Sequence, residues 1–388
     1  MTHPLIQTEM QVLELQWAPL DLDLLVPIRT AAATYRVRHV VMLRARVRIE
    51  GREVVGYGEC SPLPGWNAES RDDVIAALTL LRDDPNLSAP LSLGPGQLDQ
   101  ALGQLALLPT LRFALELALL DALARHHSLP LAAILGLAST ATADDLHQGV
   151  PLQTTFALDA PLITAQRAAV AVGNSELAIK LKVGLDPLQG DLERIRLVRE
   201  HCPNARLRLD ANGAFSPEQT LRFARAVAEF DIDFIEEPVS QLSVDAFQYL
   251  QQASPVPIAA DESASPPAQA RALIDARAVG ALVLKPMSIG GLLPTLELIR
   301  LADAAHIQVV VSNLIESALG RRAAAHLVIA NRHLHALQGC HGLKTGGWLR
   351  ADVAPRVDIT ARQHLRLDDT PGVGFIPRPW SEQPGDAP

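Results

Sequence analysis

The sequence predicts an α/β protein: a closed (β/α) barrel preceded by an α+β domain. From about Pro151, short apolar runs alternate strictly with longer helical patterns and no hairpin turn separates them, which implies parallel strands joined by crossovers. Six or more such units in series favour a barrel over an open sheet, and no Gly-x-Gly-x-x-Gly opens the first of them. Finally, each run ends in an ionisable or polar residue at nearly even spacing: Lys182, Asp210, Glu236, Asp261, Lys285 and Ser312.

The opening third has another texture. Stretches such as Val40–Ile49 alternate apolar and polar residues with a period of two, as an antiparallel sheet with one wet face requires. Helical patterns follow over 68–81, 96–106 and 108–127. In the last, Leu111, Ala114, Leu115, Ala118, Leu119 and Ala122 share one stripe. The barrel strands fall at 178–183, 206–210, 233–236, 257–261, 281–285 and 308–311, with helices at 191–201, 217–230, 267–276 and 293–305. The tail from Gly346 is rich in Pro and charge, returns toward the first domain and ends in a flexible Ser-Glu-Gln-Pro-Gly-Asp-Ala-Pro. Residues 1–130, completed by 350–388, form the first domain in this scheme, and 131–349 the barrel.

Composition narrows the function. With 388 residues, 48% hydrophobic and 20% charged, the chain can bury a large core. A net charge of −9 without any basic run argues against nucleic acid and against a membrane surface. Cys60, Cys202 and Cys340 are odd in number and widely spaced, so they read as reduced thiols of a cytoplasmic protein. The first residues lack a signal-peptide pattern, and no apolar run is long enough to span a membrane. The sequence leaves room for a homo-oligomer.

Only four residues are lysine, against 30 arginines, and three of the four lie at strand ends: Lys180, Lys182 and Lys285. A lysine amine can give up its proton when desolvated, whereas an arginine guanidinium effectively cannot. Lys180 and Lys182 are two apart on one strand and so share a face. In a barrel the carboxyl ends of the strands converge on one rim, where Asp210, Glu236 and Asp261 would form an oxygen-rich cage suited to Mg²⁺. Taken singly, Asp210 or Asp261 reads as a helix cap and Glu236-Glu237-Pro238 as a loop start. The periodic set flanked by lysines is the more specific signal. A divalent ion on a substrate carboxylate eases removal of the neighbouring proton, and lysines beside it are expected to have depressed pKa values and to act as bases. His127, His147, His306 and His333 lack ligand spacing; Glu59, in the capping loop, could approach the substrate, but the simpler reading is a surface glutamate at a sheet edge.

The segments Lys-x-Lys (180–182), Leu-Asp-Ala-Asn (209–212), Ile-Glu-Glu-Pro (235–238), Ala-Asp-Glu-Ser (260–263) and Leu-Lys-Pro (284–286) resemble the enolase superfamily, muconate lactonising subgroup. The resemblance spans nearly the whole chain and implies a modified (β/α)7β barrel, TIM-like, with an N-terminal α+β capping domain. Gly58–Trp66, Arg208, Ser312–Gly320 and His341–Thr345 look most like o-succinylbenzoate synthases, with a break at Lys344, where Asp is usual. It implies a hydro-lyase of menaquinone biosynthesis that dehydrates 2-succinyl-6-hydroxy-2,4-cyclohexadiene-1-carboxylate, a small carboxylate substrate. The alternative on the same scaffold is an N-succinylamino acid racemase or dipeptide epimerase. Asp210, Glu236 and Asp261 would then bind Mg²⁺, or Mn²⁺ in its place. Lys182 would be the base and Lys285 a cation across the ring. Substrate contacts would come from Lys180, Arg208, Asn212, Ser288, Gly290, Gly291 and Ser312, with the Ser61–Asn67 loop facing the strand ends.

Overall fold

The computed structural model describes residues 8–29, 34–92, 96–136, 143–156, 159–173, 177–354, 359–360 and 363–382. Of the segment expected to be flexible, 381–388, Ser381 and Glu382 belong to a short 3-10 helix (Trp380–Glu382) and 383–388 lie outside this set. An antiparallel sheet comes first, built from β1 (Glu9–Arg29), β2 (Thr34–Ile49), β3 (Arg52–Cys60) and the short β4 (Leu91–Ser92), in the order β3-β2-β1-β4. The helix Pro109–His126 packs on β2 and β3 at backbone distance. A Cβ on Gly56 or Gly58 would stand 2.0 Å from the carbonyl oxygen of Ala118 or Ala114, so only glycine fits there. The expected stripe of this helix is buried, and so is nearly all the rest of it, including Glu116 and Asp121. The cap sheet covers one side of the helix and the barrel's 290–293 turn meets the other.

After the short β5 (Val150–Pro151) come seven parallel strands: β6 (Thr154–Phe156), β7 (Ala178–Lys182), β8 (Arg206–Asp210), β9 (Ile232–Glu236), β10 (Ile258–Ala260), β11 (Ala281–Leu284) and β12 (Gln308–Val311). They are hydrogen-bonded in sequence order. The segment at His341–Gly342 closes the ring, because it bridges Leu152 on one edge and Ser312 on the other. Its bonds are the His341 N–H to Pro151 O (2.8 Å), the Gln153 N–H to His341 O (2.9 Å) and the Gly342 N–H to Val311 O (2.8 Å). This gives the expected TIM-like barrel with an antiparallel cap. Strands β8 and β12 have the expected bounds. Strand β6 was not among the expected runs: it is three residues long and opens Thr-Thr, leaving too little apolar pattern to register.

The tail packs against the helix Pro109–His126 and β3. The Val373 N–H donates to Asp121 Oδ1 (2.8 Å), Arg125 to Phe375 O (2.7 Å), and the Trp380 ring stands 5.7 Å from that of Tyr57. Its strand β13 (His364–Leu365) pairs with β5. All three cysteines are buried and free, and among the described residues no helix is long and apolar enough to cross a membrane.

Candidate active site

Parallel pairing sets Lys180 beside Arg208, Lys182 beside Asp210, and Asp210 beside Glu236. These side chains therefore face inward at the carboxyl rim in successive layers. The Lys180 ammonium sits between two carboxylates, 2.8 Å from Asp210 Oδ2 and 2.7 Å from Glu236 Oε1. Lys182 donates to Asp210 Oδ2 at 2.6 Å and also to Asn212 Oδ1. Across the mouth, Lys285 donates to Asp261 Oδ1, and its Nζ lies 3.9 Å from the centroid of the Trp66 ring. Lys180, Lys285 and the three carboxylates are buried, while the Lys182 side chain is 31% exposed.

The electrostatics follow from this crowding. Burial alone would raise Asp210, yet Lys180 and Lys182 hold it well below the usual carboxylate range. Glu236 is pushed up, first by burial and then by the charge of Asp210. Asp261 is raised by burial against the pull of Lys285. Burial opposes the charge on Lys180, but the three surrounding carboxylates lift its pKa above the ordinary lysine value.

Of the two adjacent glutamates, Glu236 faces the lysine. Glu237 turns away and accepts the backbone N–H groups of Asp261 (2.9 Å) and Ser263 (3.2 Å), fixing the loop that carries Asp261. Asn212 (φ 43°) and Glu237 (φ 38°) are both in the left-handed region without being glycine, strain that is tolerated where a site requires a fixed backbone.

The donor set fits a hard divalent cation: three buried carboxylates on consecutive strands, two of them already gripping one cationic atom. Among the described residues no three His, Cys, Asp or Glu side chains stand in metal-holding geometry, and each of the three carboxylates is bonded to a lysine.

Several expected substrate contacts lie elsewhere. Arg208 is fully buried one layer below the rim, where it bonds Asp233 (2.8 Å), Gln153 (2.8 Å) and Cys340 O (2.7 Å) and lies over Phe234. It ties β8, β9 and the closing segment together. Gly290 and Gly291 form the turn that meets the cap helix, and the close approach is at Gly291. A Cβ on Gly291 would meet Glu116 Oε2 at 2.5 Å, Arg112 donates to Gly290 O, and Glu116 accepts the N–H groups of Leu292 and Leu293. Among the described residues Ser312 Oγ donates to Gly342 O, at 3.4 Å, on the closing seam. Ser288 stays beside Lys285 with a buried, unpartnered hydroxyl among the described residues.

Glu59 is not on the surface. It is wholly buried and accepts the backbone N–H groups of Ser317 (2.8 Å) and Gly320 (3.0 Å) along with the hydroxyls of Ser61 and Ser317. One carboxylate of the cap thereby fixes the start of the barrel helix Ala318–Ala330. The loop after it is placed by Arg38, which donates to Ser61 O (2.7 Å) and Pro62 O (3.1 Å), and so Trp66 reaches the mouth. Trp66 was legible only as part of the Gly58–Trp66 motif; nothing local marks its partner. A cavity of about 660 Å³, bordered by Asn212, Glu237, Glu262 and Ser265, adjoins the Lys182 side.

Comparison with known proteins places this geometry. The enolase C-terminal domain-like family model matches residues 164–380. The D-Ala-D/L-Ala epimerase of Cytophaga hutchinsonii is 33% identical over 285 residues, 72% of this chain and 73% of that protein. The N-succinyl-L-Arg/Lys racemase of Bacillus cereus is 26% identical, covering 69% of each chain. A crystal structure of a dipeptide epimerase from Enterococcus faecalis, complexed with Mg and the dipeptide L-Leu-L-Tyr, superposes with a TM-score of 0.80 at 23% identity, over 94% of this chain and 99% of that one. With a family match over more than half its length and a relative one-third identical, the chain belongs to the enolase superfamily, through its enolase C-terminal domain-like barrel.

Proposed function

We propose that the protein is a racemase or epimerase, which removes and returns the α-proton of an N-acylated amino acid or a dipeptide. One observation carries this: Lys182 closes the second stave of the barrel and Lys285 follows the sixth. In an eight-membered ring these are opposite, so a substrate held between them shows one face of its α-carbon to each amine. Asp210, Glu236 and Asp261 would hold Mg²⁺, which when bound neutralises the substrate carboxylate and the charge that gathers there as the proton leaves. Lys182 Nζ, as the free amine, takes the proton from one face. The Lys285 ammonium delivers one to the other face, inverting the centre, and the reverse substrate exchanges the two roles. Trp66 covers Lys285 and limits access of water.

The relatives reported above act on dipeptides and N-succinylamino acids, which favours this over the dehydration that the loop motifs pointed to; none of them is an o-succinylbenzoate synthase. The experiment is α-proton exchange in D₂O with Mg²⁺, on both enantiomers of N-succinylamino acids and on dipeptide diastereomers, beside the cyclohexadiene substrate. Exchange with inversion supports the proposal. Dehydration of the cyclohexadiene without exchange on any of the others removes it.

A further inference from the structure

Three of the four lysines are bonded to carboxylates, and Lys344 is the exception. Among the described residues its Nζ donates only to Thr154 Oγ1, at 2.9 Å, and no acidic side chain pairs with it. Burial holds its pKa below the ordinary lysine value. A half-buried ammonium that no carboxylate pairs among the described residues is costly, because burial disfavours the charged form. The position is specific too. Lys344 lies two residues beyond Gly342, which bridges Ser312 at the end of β12, so it stands on the same rim as the candidate site. It borders a separate cavity of about 210 Å³. Gln153, Thr154, Thr155 and Thr345 supply polar groups to that cavity, Trp348 and Ile359 supply apolar wall, and among the described residues no acidic one lines it. Thr155 is in register with Lys180 on the neighbouring strand, so the cavity adjoins the mouth on the Lys180 side.

We propose that this cavity is an anion subsite, in which Lys344 binds a carboxylate at the end of the substrate remote from the reacting carbon. Trp348 and Ile359 line the methylene arm that carries the carboxylate, and the threonine hydroxyls and the Gln153 amide complete its hydrogen bonds. The substrate class is then a dianion: an amino acid whose N-acyl group, or second residue, ends in a carboxylate. This rests on the proton-transfer proposal only for the position of the reacting end.

The test is calorimetric titration of the Mg²⁺-loaded protein with N-succinyl-L-alanine, with N-butanoyl-L-alanine, which has the same arm without the far carboxylate, and with L-Ala-L-Ala. A charge-assisted hydrogen bond predicts that the wild type favours the succinyl compound by about tenfold or more. In Lys344→Gln the ratio falls to about one, and in Lys344→Arg it is kept. Equal binding of the two acyl compounds by the wild type overturns the proposal. So does failure to bind N-succinyl-L-alanine, tighter binding of L-Ala-L-Ala, or a preference that survives Lys344→Gln. Exchange of the α-proton is read separately. A preference without exchange removes the proton-transfer proposal and leaves the subsite standing, whereas exchange without a preference does the opposite.

Discussion

Lys285 lies under Trp66, its Nζ 3.9 Å from the ring centroid, so a residue of the cap closes over a barrel lysine. The two are 219 positions apart in the chain, and the Ser61–Asn67 loop that carries Trp66 is held by Arg38, which donates to Ser61 O and Pro62 O, and by Tyr35, which donates to Pro64 O. The cap is thus part of the site.

Removing that cover should affect chemistry more than folding. A desolvated cation–π contact is worth about 2 kcal/mol, and each 1.4 kcal/mol of barrier is about tenfold in rate. Trp66→Ala should therefore lower α-proton exchange by about tenfold or more, while Trp66→Phe keeps most of it and both melt near the wild-type temperature. Unchanged exchange in Trp66→Ala would show that the ring is merely adjacent.

Glu59 is expected to act through stability. It has two backbone N–H groups and two hydroxyls to satisfy, and a hydrogen bond to a charged group contributes about 1.5–3 kcal/mol. Glu59→Gln keeps the shape but loses the charge, and should cost about 2–3 kcal/mol in chemical denaturation. It should also raise hydrogen exchange at the amides of Ser317 and Gly320. Wild-type protection at those amides would contradict the assignment.

Much of this was legible from residues alone. The strands announced themselves because apolar runs ended in charges that a buried strand end keeps only for a reason, as at Asp210 and Glu236. What was missed depends on partners distant in the chain. Arg208 has the same facing as Asp210, but two residues down a strand is about 6.6 Å deeper, enough to move it from the rim to the interior. Gly290 and Gly291 read as a turn open to ligand, since nothing local shows that Arg112 and Glu116 of the cap helix occupy the space. Glu59 meets Ser317 across 258 positions, a separation that no local pattern encodes.

The pH dependence of stability has a component that can be assigned to His341. Its Nδ1 accepts the Val311 N–H (3.0 Å), its Nε2 faces Leu337 O (3.2 Å), and burial lowers its pKa to about 3. The folded state therefore holds it neutral while the unfolded chain protonates it near 6.5. The stabilising contribution is complete above 6.5 and is lost as pH falls toward 3, at up to about 1.4 kcal/mol per pH unit. Glu116, raised by burial to about 7, carries the opposite sign: its contribution is complete below about 4.5 and is lost as pH rises to 7. The total slope mixes both, so the comparison is with His341→Gln, which should be less stable at neutral pH and lose less stability between pH 6.5 and 4. Parallel curves for the two proteins would refute the assignment.

Lys182 and Lys285 give the sharpest prediction. Each is converted to arginine, which keeps the cation but removes the amine that can lose a proton. Positioned acid–base groups contribute about 10²–10⁴-fold, so a lysine that serves as a base should lose at least that when replaced. If the two amines serve opposite faces, Lys182→Arg should abolish exchange on one enantiomer of an N-succinylamino acid and Lys285→Arg on the other. Both should abolish complete racemisation, because inversion needs a deprotonation on one face and a protonation on the other. If one lysine instead serves as both base and acid for a dehydration, only Lys182→Arg loses turnover, and Lys285→Arg is milder because a guanidinium still offers charge to the developing anion. Exchange of each enantiomer in D₂O, measured for both variants at saturating Mg²⁺ with folding checked by circular dichroism, separates these outcomes. Near-normal exchange of both enantiomers in Lys182→Arg would mean that neither mechanism operates through these lysines.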